Sequence, residues 1–230
     1  MRSEKKSTMR RQLLFADMEY DNLNQLIQLS YIQWFPPKAQ LIKEGDPTDF
    51  LYIVTEGIIG LQSQYNQTKS ILSLKYPMAT ISLATVLRDA EYMMSAHTTR
   101  SAQILLIPSD QIRMMISIDP AFARSIAMEL AVSNCSMFKS LKNQKLRTSI
   151  ERLANYIVRC HNKYGGDRKF RLEVNKRTLA SLLGMTPENL SRSFGTLEKY
   201  GVSVNGRIIT VDKVEDLNQI AHPTPFIDDW

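Results

Sequence analysis

One stretch near the C-terminal end decides the fold: residues 176–211 read KRTLASLLGMTPENLSRSFGTLEKYGVSVNGRIITV. Residues 178–183 have the apolar spacing of a short helix, and Thr186-Pro187 supplies an N-cap and a first-turn proline for a second helix. Gly184 lies four residues after Ala180. Glycine can take the positive φ of a tight turn because it has no Cβ, and the small Ala180 side chain lets the two helices approach closely. The stretch therefore predicts a helix-turn-helix.

The second predicted helix, residues 187–200, has an apolar side anchored by leucines, with Ser193 standing where an aliphatic residue is more usual. Its other side is polar. In a major groove, arginine bonds guanine, glutamate accepts from cytosine N4, and serine bonds bases or phosphates. We therefore predict that Glu188, Ser191 and Arg192 read bases. Contacts to the DNA backbone are predicted for Lys176, Arg177, Thr178, Thr186, Asn189 and Arg207.

A hairpin follows the second helix directly. Two β-rich runs within residues 201–211 flank Asn205-Gly206, a pair typical of two-residue hairpin turns. A hairpin in this place is a wing, so this end of the chain is predicted to be a winged helix-turn-helix that binds double-stranded DNA.

The basic charge of the chain is concentrated around this stretch. Residues 139–210 carry 15 basic and 5 acidic side chains, residues 1–138 carry 13 of each, and residues 211–230 carry 1 basic and 5 acidic. Such a block is the electrostatic footprint of a protein that binds a polyanion. A helical hairpin that only packs would explain neither this excess nor the polar helix face.

The region from Trp34 to Ile107 consists of short apolar runs separated by turn signals such as Gly45-Asp46-Pro47 and Asn66-Gln67. Several short strands at close spacing predict a small antiparallel roll. A short helix is predicted before the roll, over about residues 18–29.

After Pro108 the hydrophobic period becomes that of a helix. Asp119-Pro120 predicts the start of a long helix that runs to about Gln144, and another helix is predicted over residues 148–159. The long helix carries a seam with 3-4-3-4 spacing and one polar member, as in dimeric coiled coils. The seam predicts a homodimer, and the alternative is an ordinary helix that faces the core. Its residues are Ala127, Leu130, Asn134, Met137 and Leu141.

These elements predict an α+β fold in five parts: a flexible tail (1–15), a β-roll domain (16–118), a dimerisation helix (119–147), a winged helix-turn-helix domain (148–215) and a C-terminal tail (216–230). No glycine-rich phosphate loop, nucleophile elbow or HExxH motif occurs, so we do not expect an enzyme. No apolar run is long enough to span a bilayer, and no secretory signal is present, so we expect a cytoplasmic protein without membrane contact.

The order of roll, long helix and winged helix-turn-helix resembles the Crp/Fnr family of bacterial transcription regulators over about residues 15–220. Glu188-x-x-Ser191-Arg192 is similar to the Fnr-type recognition signature, and Gly45 and Gly57 fall at turn glycines of the family. The resemblance implies a cyclic-nucleotide-binding-like sensor roll and a homodimer on the palindrome TTGAT-N4-ATCAA, with one half-site per subunit. It also implies RNA polymerase as a partner, with activation as the expected outcome.

The sensor departs from its relatives. Where cyclic-nucleotide members carry a Gly-Glu pair and an Arg-Ser pair, this chain has residues 81–87 (ISLATVL) and 94–96 (MSA), so cAMP is not expected. At two positions of the dimer helix where that subgroup has hydroxyl residues, this chain has Met137 and Phe138. Fnr carries cysteines in an N-terminal extension, and none stands there in this chain, so an iron–sulfur cluster is not expected.

The effector of the sensor is left open, and no cofactor is predicted. An apolar effector pocket is a hypothesis, with haem ligation by His97 as one alternative and a hydrogen-bonded histidine as the other.

Cys135 and Cys160 are predicted to be small buried hydrophobic residues, with a redox switch as the alternative, and no metal site is expected. The other functional class considered is a ligand-binding module that regulates a protein partner and uses its helix-turn-helix only for packing. The candidate pocket residues are Leu83, Met94, His97, Met137 and Phe138.

Overall fold

A computed structural model describes Met9 and residues 12–228 of the chain. The chain divides into two compact units, an N-terminal unit up to Ser133 and a C-terminal unit from Asn134. The division falls inside the long helix rather than at either end of the predicted dimerisation segment. Within the described residues, no helix is long and apolar enough to cross a membrane.

The N-terminal unit is a β-roll flanked by helices. After a 3-10 turn at Leu13–Phe15, its elements are α1 (Tyr20–Leu29), β1 (Tyr31–Phe35), β2 (Gln40–Ile42), β3 (Phe50–Glu56), β4 (Ile59–Tyr65), β5 (Thr68–Lys75), β6 (Thr80–Ile81), α2 (Leu83–Arg88), β7 (Ser95–Thr98), β8 (Ala102–Pro108), α3 (Ser109–Ile118) and the start of α4 (Pro120–Leu146).

Two antiparallel four-stranded sheets form the roll, in the orders β1-β8-β3-β6 and β2-β7-β4-β5. Side chains alternate along the strands of the first sheet, and each of its two faces contributes to a separate buried core. In β3, Leu51 and Ile53 join the core under the helices, whereas Val54 joins the core between the sheets. In β8, Leu105 faces the helices and Ile104 the second sheet.

The start of α4 is fixed by the predicted N-cap. Asp119 is fully buried, and its Oδ1 accepts a hydrogen bond from the Phe122 amide at 2.9 Å. Its Oδ2 accepts from the Glu19 amide and from Asn22 Nδ2, each at 3.0 Å. Burial alone would raise the pKa of Asp119, but these hydrogen bonds outweigh it and hold the pKa below its usual value.

The prediction of a flexible tail over residues 1–15 is wrong for the part that the structure describes. Leu14 and Phe15 are buried, and the Phe15 ring stacks on Phe122 with centroids 5.6 Å apart. Met9 is buried in the same core, and the other residues of the predicted tail before Gln12 lie outside the described part. The sequence did not show this contact because its partner is more than a hundred residues away.

The C-terminal unit contains the rest of α4 and a winged helical domain. Its elements are α5 (Ser149–Lys163), β9 (Lys169–Arg171), α6 (Lys176–Leu182), α7 (Pro187–Leu197), a 3-10 turn (Glu198–Tyr200), β10 (Val202–Asn205), β11 (Ile208–Val211), α8 (Val214–Ala221) and α9 (Pro225–Asp228). The predicted hairpin is β10–β11, and β9 adds a third antiparallel strand in the order β10-β11-β9.

The prediction of a C-terminal tail from residue 216 also needs correction, because α8 and α9 are folded. Leu217, Ala221 and Ile227 are buried, and Asn155 Nδ2 donates to the Ala221 carbonyl. Pro223 lies between the two helices, and Pro225 is the first residue of α9, a position that accepts proline.

Candidate nucleic-acid interface

The helix-turn-helix is built from two capped helices and one glycine turn. Asn175 caps α6 by accepting from the Thr178 amide at 2.9 Å, and Thr186 Oγ1 caps α7 by accepting from the Asn189 amide at 3.2 Å. Gly184 has φ +63°, and a Cβ atom there would lie 2.6 Å from Gln144 Oε1. The turn therefore requires glycine for its backbone conformation, and the Gln144 side chain lies against it.

Helix α7 presents the three predicted base-reading side chains on one exposed face. Glu188, Ser191 and Arg192 are exposed, at spacings of three and four residues that place them on the same side of a helix. The opposite face is buried against the unit through Leu190, Ser193, Phe194 and Leu197. The buried Ser193 hydroxyl thus replaces the usual aliphatic contact without exposing that face.

Glu188 is held in its ionised form. Hydrogen bonds from its own backbone amide at the helix start and from the Thr186 side chain lower its pKa, and the positive charges of Arg192 and Arg177 lower it further. Glu188 and Arg192 are also an i, i+4 pair of opposite charge. The face therefore offers a carboxylate acceptor and a guanidinium donor side by side.

The predicted backbone contacts differ in how available they are. Arg177 is exposed, Lys176 has its Nζ 5.6 Å from the centre of the Phe194 ring, and Thr178 is half-buried. Asn189 is directed inward, since its Nδ2 lies 3.4 Å from Ser149 Oγ. Arg207 is committed within the chain as well, because its Nε donates to the Leu172 carbonyl at 3.0 Å and its Nη2 donates to the same oxygen.

Sequence reasoning missed two cations on the wing sheet. Lys169 and Arg171 are exposed, while Phe170 between them is buried, so both cations lie on the solvent face of β9. They pair in register with Thr210 and Ile208 of β11. The alternation Lys-Phe-Arg was the signal available in the sequence.

The five residues of the predicted dimer seam are distributed along both units. Ala127, Asn134, Met137 and Leu141 are exposed, whereas Leu130 is half-buried and packs in part against the core of the N-terminal unit. Met137 and Leu141 are 67% and 51% exposed, which is unusual for large apolar side chains.

The candidate effector residues of the N-terminal unit do not line one pocket. Leu83 is buried in the core under the helices, and Met94 packs against the core between the sheets. His97 lies on the outward side of β7, because its neighbour Ala96 faces the core. Met137 and Phe138 lie on the exposed surface of the C-terminal unit. A single apolar pocket shared by Leu83, Met94 and His97 is therefore wrong.

His97 borders an open polar groove of about 470 Å³ on the second sheet. Burial lowers its pKa, and so does the nearby Lys69. The groove is lined by charged residues such as Lys43 and Glu44 and by four side-chain amides. Haem needs an apolar cavity around its ring, so this groove does not fit haem.

The two cysteines lie in different environments. Cys135 is exposed on α4, which corrects the prediction that it is buried. Cys160 is half-buried, and burial raises its pKa, which favours the unreactive thiol. The described residues contain no cluster of histidine, cysteine or carboxylate side chains suited to a metal ion.

Comparison with known proteins matches both units. Residues 151–220 match the Crp-like helix-turn-helix domain, and residues 32–119 match the cyclic nucleotide-binding domain. The chain is 26% identical over 223 residues to the anaerobic regulatory protein of Pasteurella multocida, covering 90% of this chain and 77% of that protein. It is 35% identical over 81 residues to the fumarate and nitrate reduction regulatory protein of Yersinia pestis, covering 33% of this chain and 32% of that protein. The structure of FixK2 from Bradyrhizobium japonicum has the same fold, with a TM-score of 0.73 at 16% identity over 85% of this chain and 98% of that chain.

The side chains of the roll do not fit a cyclic nucleotide at the positions where it would be held. Ile81, Leu83 and Val86 are buried in apolar cores, and so is Ala96 in the second segment. A cyclic phosphate would meet no cation among these residues, and burying an unpaired charge is costly.

The two matched domains follow one another in the order that the fold shows, with the long helix between them. The capped α7 and its polar face agree with a DNA-binding module. The chain belongs to the Crp/Fnr family and is a DNA-binding transcription regulator with a cyclic-nucleotide-binding-like domain, not an enzyme.

Proposed function

We propose that this regulator binds the palindrome TTGAT-N4-ATCAA as a homodimer, with one α7 helix in the major groove of each half-site. The observation that carries the proposal is the single exposed face of α7. Glu188, Ser191 and Arg192 share that face, and the opposite face is buried.

The charges on this face suit the one G·C pair of each half-site. Arg192 would donate to guanine O6 and N7, and the ionised Glu188 would accept from N4 of the paired cytosine. Because the two residues are one helical turn apart, they can reach the two bases of one pair. Ser191 would bond a neighbouring base or phosphate.

Phosphate contacts would come from the cations around α7. Arg177 and Lys176 are exposed at the start of α6, and Lys169 and Arg171 add two more on the wing sheet. These contacts fix the register of the protein on DNA and carry no sequence information.

Homodimerisation is supported by the exposed apolar side chains of α4. Met137 and Leu141 would be removed from water in a paired helix, and Asn134 would favour one register. The same symmetry would match the two-fold symmetry of the palindrome.

Activation through contact with RNA polymerase is the further part of the proposal, supported by membership of the family. Transcription in vitro from a promoter that carries the palindrome would test it. An increase in transcript with the protein supports activation, and a decrease indicates repression.

Fluorescence anisotropy tests the DNA proposal directly. The protein, without added ligand, is titrated against the palindrome and a scrambled duplex at two salt concentrations. We expect tighter binding to the palindrome and a steep loss of affinity with salt on both duplexes. Equal affinity for both would contradict sequence-specific reading of this site. No binding at either salt would favour the module that regulates a protein partner.

A further inference from the structure

The junction between α4 and α5 consists of two residues, Arg147 and Thr148. Thr148 starts α5 with a capping box, in which its amide donates to Glu151 Oε2 at 2.7 Å and its Oγ1 accepts from the Glu151 amide. A junction of this length can change direction through few backbone angles. Contacts made by its side chains therefore decide which direction it takes.

Arg147 ties this junction to the C-terminal end of the described chain. Its Nη1 donates to Asp228 Oδ1 at 2.7 Å and its Nη2 donates to Asp228 Oδ2 at 2.6 Å. Nη2 also donates to the His222 carbonyl at 3.2 Å. The two side chains of the ion pair are only 8% and 12% exposed. A bidentate pair shielded from water in this way is strong and directional.

Arg152 ties the same junction to the turn of the helix-turn-helix. Its Nη1 donates to the Arg147 carbonyl at 2.6 Å, and its Nε donates to the Leu183 carbonyl at 2.8 Å. Gln144, in the last turn of α4, donates from Nε2 to the Leu182 carbonyl at 3.4 Å. Because Gly184 lies against Gln144, a shift of α4 would have to break these contacts.

The segment that presents Asp228 is itself anchored. Helix α8 is held by the buried Leu217 and by the bond from Asn155 to the Ala221 carbonyl. Asp228 Oδ2 also accepts from the Thr224 amide at 2.9 Å, which fixes the carboxylate on α9. The ion pair therefore joins the α4–α5 junction to a helix that is itself held in place.

We infer that Arg147, Arg152 and Asp228 form a hinge lock that positions α7 relative to the end of α4. This inference rests on the proposed binding to two half-sites. In the dimer, the lock would set the distance between the two α7 helices and hence the four-base-pair spacing between half-sites. None of the three residues belongs to α7, which carries the proposed base-reading face, so they are positioning residues, and α9 takes part in selecting DNA.

The test compares duplexes that differ only in spacing: half-sites separated by three, four or five base pairs, and one isolated half-site. In Asp228→Asn, the preference for four base pairs over three or five should fall about fivefold or more, the lower end of usual coupling between sites. Affinity for the isolated half-site should change by less than about twofold, as for independent sites. Asp212→Asn is the matched control, because it removes the exposed ion pair with Arg168.

A loss of general stability would lower binding to the isolated half-site as much as binding to the palindrome, and this outcome overturns the inference. A wild-type preference for spacing in Asp228→Asn also overturns it. Circular dichroism checks the fold of each variant. If Asp228→Asn does not fold, Arg147→Lys replaces it, because lysine keeps the charge and cannot form the bidentate pair.

Amide hydrogen exchange without DNA separates the lock from the proposed DNA site. Residues 143–152 and 222–228 should exchange faster in Asp228→Asn than in Asp212→Asn. If the wild-type protein shows no preference for the palindrome, the proposed function fails while this exchange difference still supports the lock. Equal exchange in the two variants contradicts the lock, whatever the DNA result.

Discussion

The N-terminal and C-terminal units differ in whether the side chains at their candidate binding positions are buried or exposed. In the C-terminal unit, Glu188 and Arg192 are exposed on a capped helix, with the apolar residues of α7 turned inward. In the N-terminal unit, the segments 81–87 and 94–96, expected from the resemblance to differ from cyclic-nucleotide members, place apolar side chains such as Val86 and Ala96 in buried cores. The N-terminal unit buries these side chains in its cores, whereas the C-terminal unit exposes Glu188 and Arg192 to solvent.

This difference teaches that the two matched domains support unequal conclusions. A fold places a segment, but its side chains decide whether that segment binds a ligand. For the DNA-binding module the fold and the side chains agree. For the roll, the fold matches a cyclic nucleotide-binding domain, whereas the buried side chains at positions 81–86 and 96 offer no cation to a cyclic phosphate.

The largest effect is expected from a substitution in the buried core of the N-terminal unit. Phe122→Ala removes a fully buried ring that stacks on Phe15, and we expect the free energy of unfolding to fall by about 3–5 kcal/mol. Urea denaturation measures it. Leu13→Ala is the control, since that side chain is 85% exposed and its loss should change stability little. Equal effects from the two variants would contradict the packing described here.

The next effect is on the reading face. Arg192→Ala should weaken binding to the palindrome by about 1–3 kcal/mol, because a bidentate contact to guanine is lost. Binding to scrambled DNA should change much less, as anisotropy would show. An equal loss on both duplexes would assign Arg192 to phosphate and not to a base.

A smaller effect is expected at the wing. Arg171→Ala should weaken binding to specific and scrambled DNA alike, and should reduce the slope of log affinity against log salt by about 1. Arg168→Ala is the control, since Arg168 is paired with Asp212. A loss confined to the palindrome would instead indicate base reading by the wing.

The smallest effect is expected from cAMP. Because the buried residues at positions 81–86 and 96 offer no cation to a cyclic phosphate, millimolar cAMP should change neither the melting temperature nor the affinity for the palindrome. Thermal unfolding with and without cAMP measures this. A clear rise in melting temperature would show that the roll binds the nucleotide through other residues.

The sequence was sufficient for features that depend on local chemistry. Pro120 and Pro187 mark the starts of α4 and α7, and Asn205-Gly206 marks the hairpin, because capping, proline and turn preferences act within a few residues. The exposed face of α7 was predictable for the same reason, since periodicity alone separates it from the buried face.

Features that depend on distant partners were not predictable. The folded C-terminal helices are held by Arg147 and Asp228, which are 81 residues apart. The inward direction of Asn189 depends on Ser149 of another helix, and Arg207 is drawn to the Leu172 carbonyl. Asn189 and Arg207 have polar side chains suited to phosphate, and only the tertiary structure shows that they are already engaged.

Asp119 has a consequence for how the chain is made. Its carboxylate accepts from Glu19 and Asn22, residues 100 and 97 positions earlier, and Phe15 waits for Phe122 in the same way. During synthesis, these contacts cannot form until the start of α4 has left the ribosome. The N-terminal end of α1 is therefore completed late, after the strands of the roll that share its core have been translated.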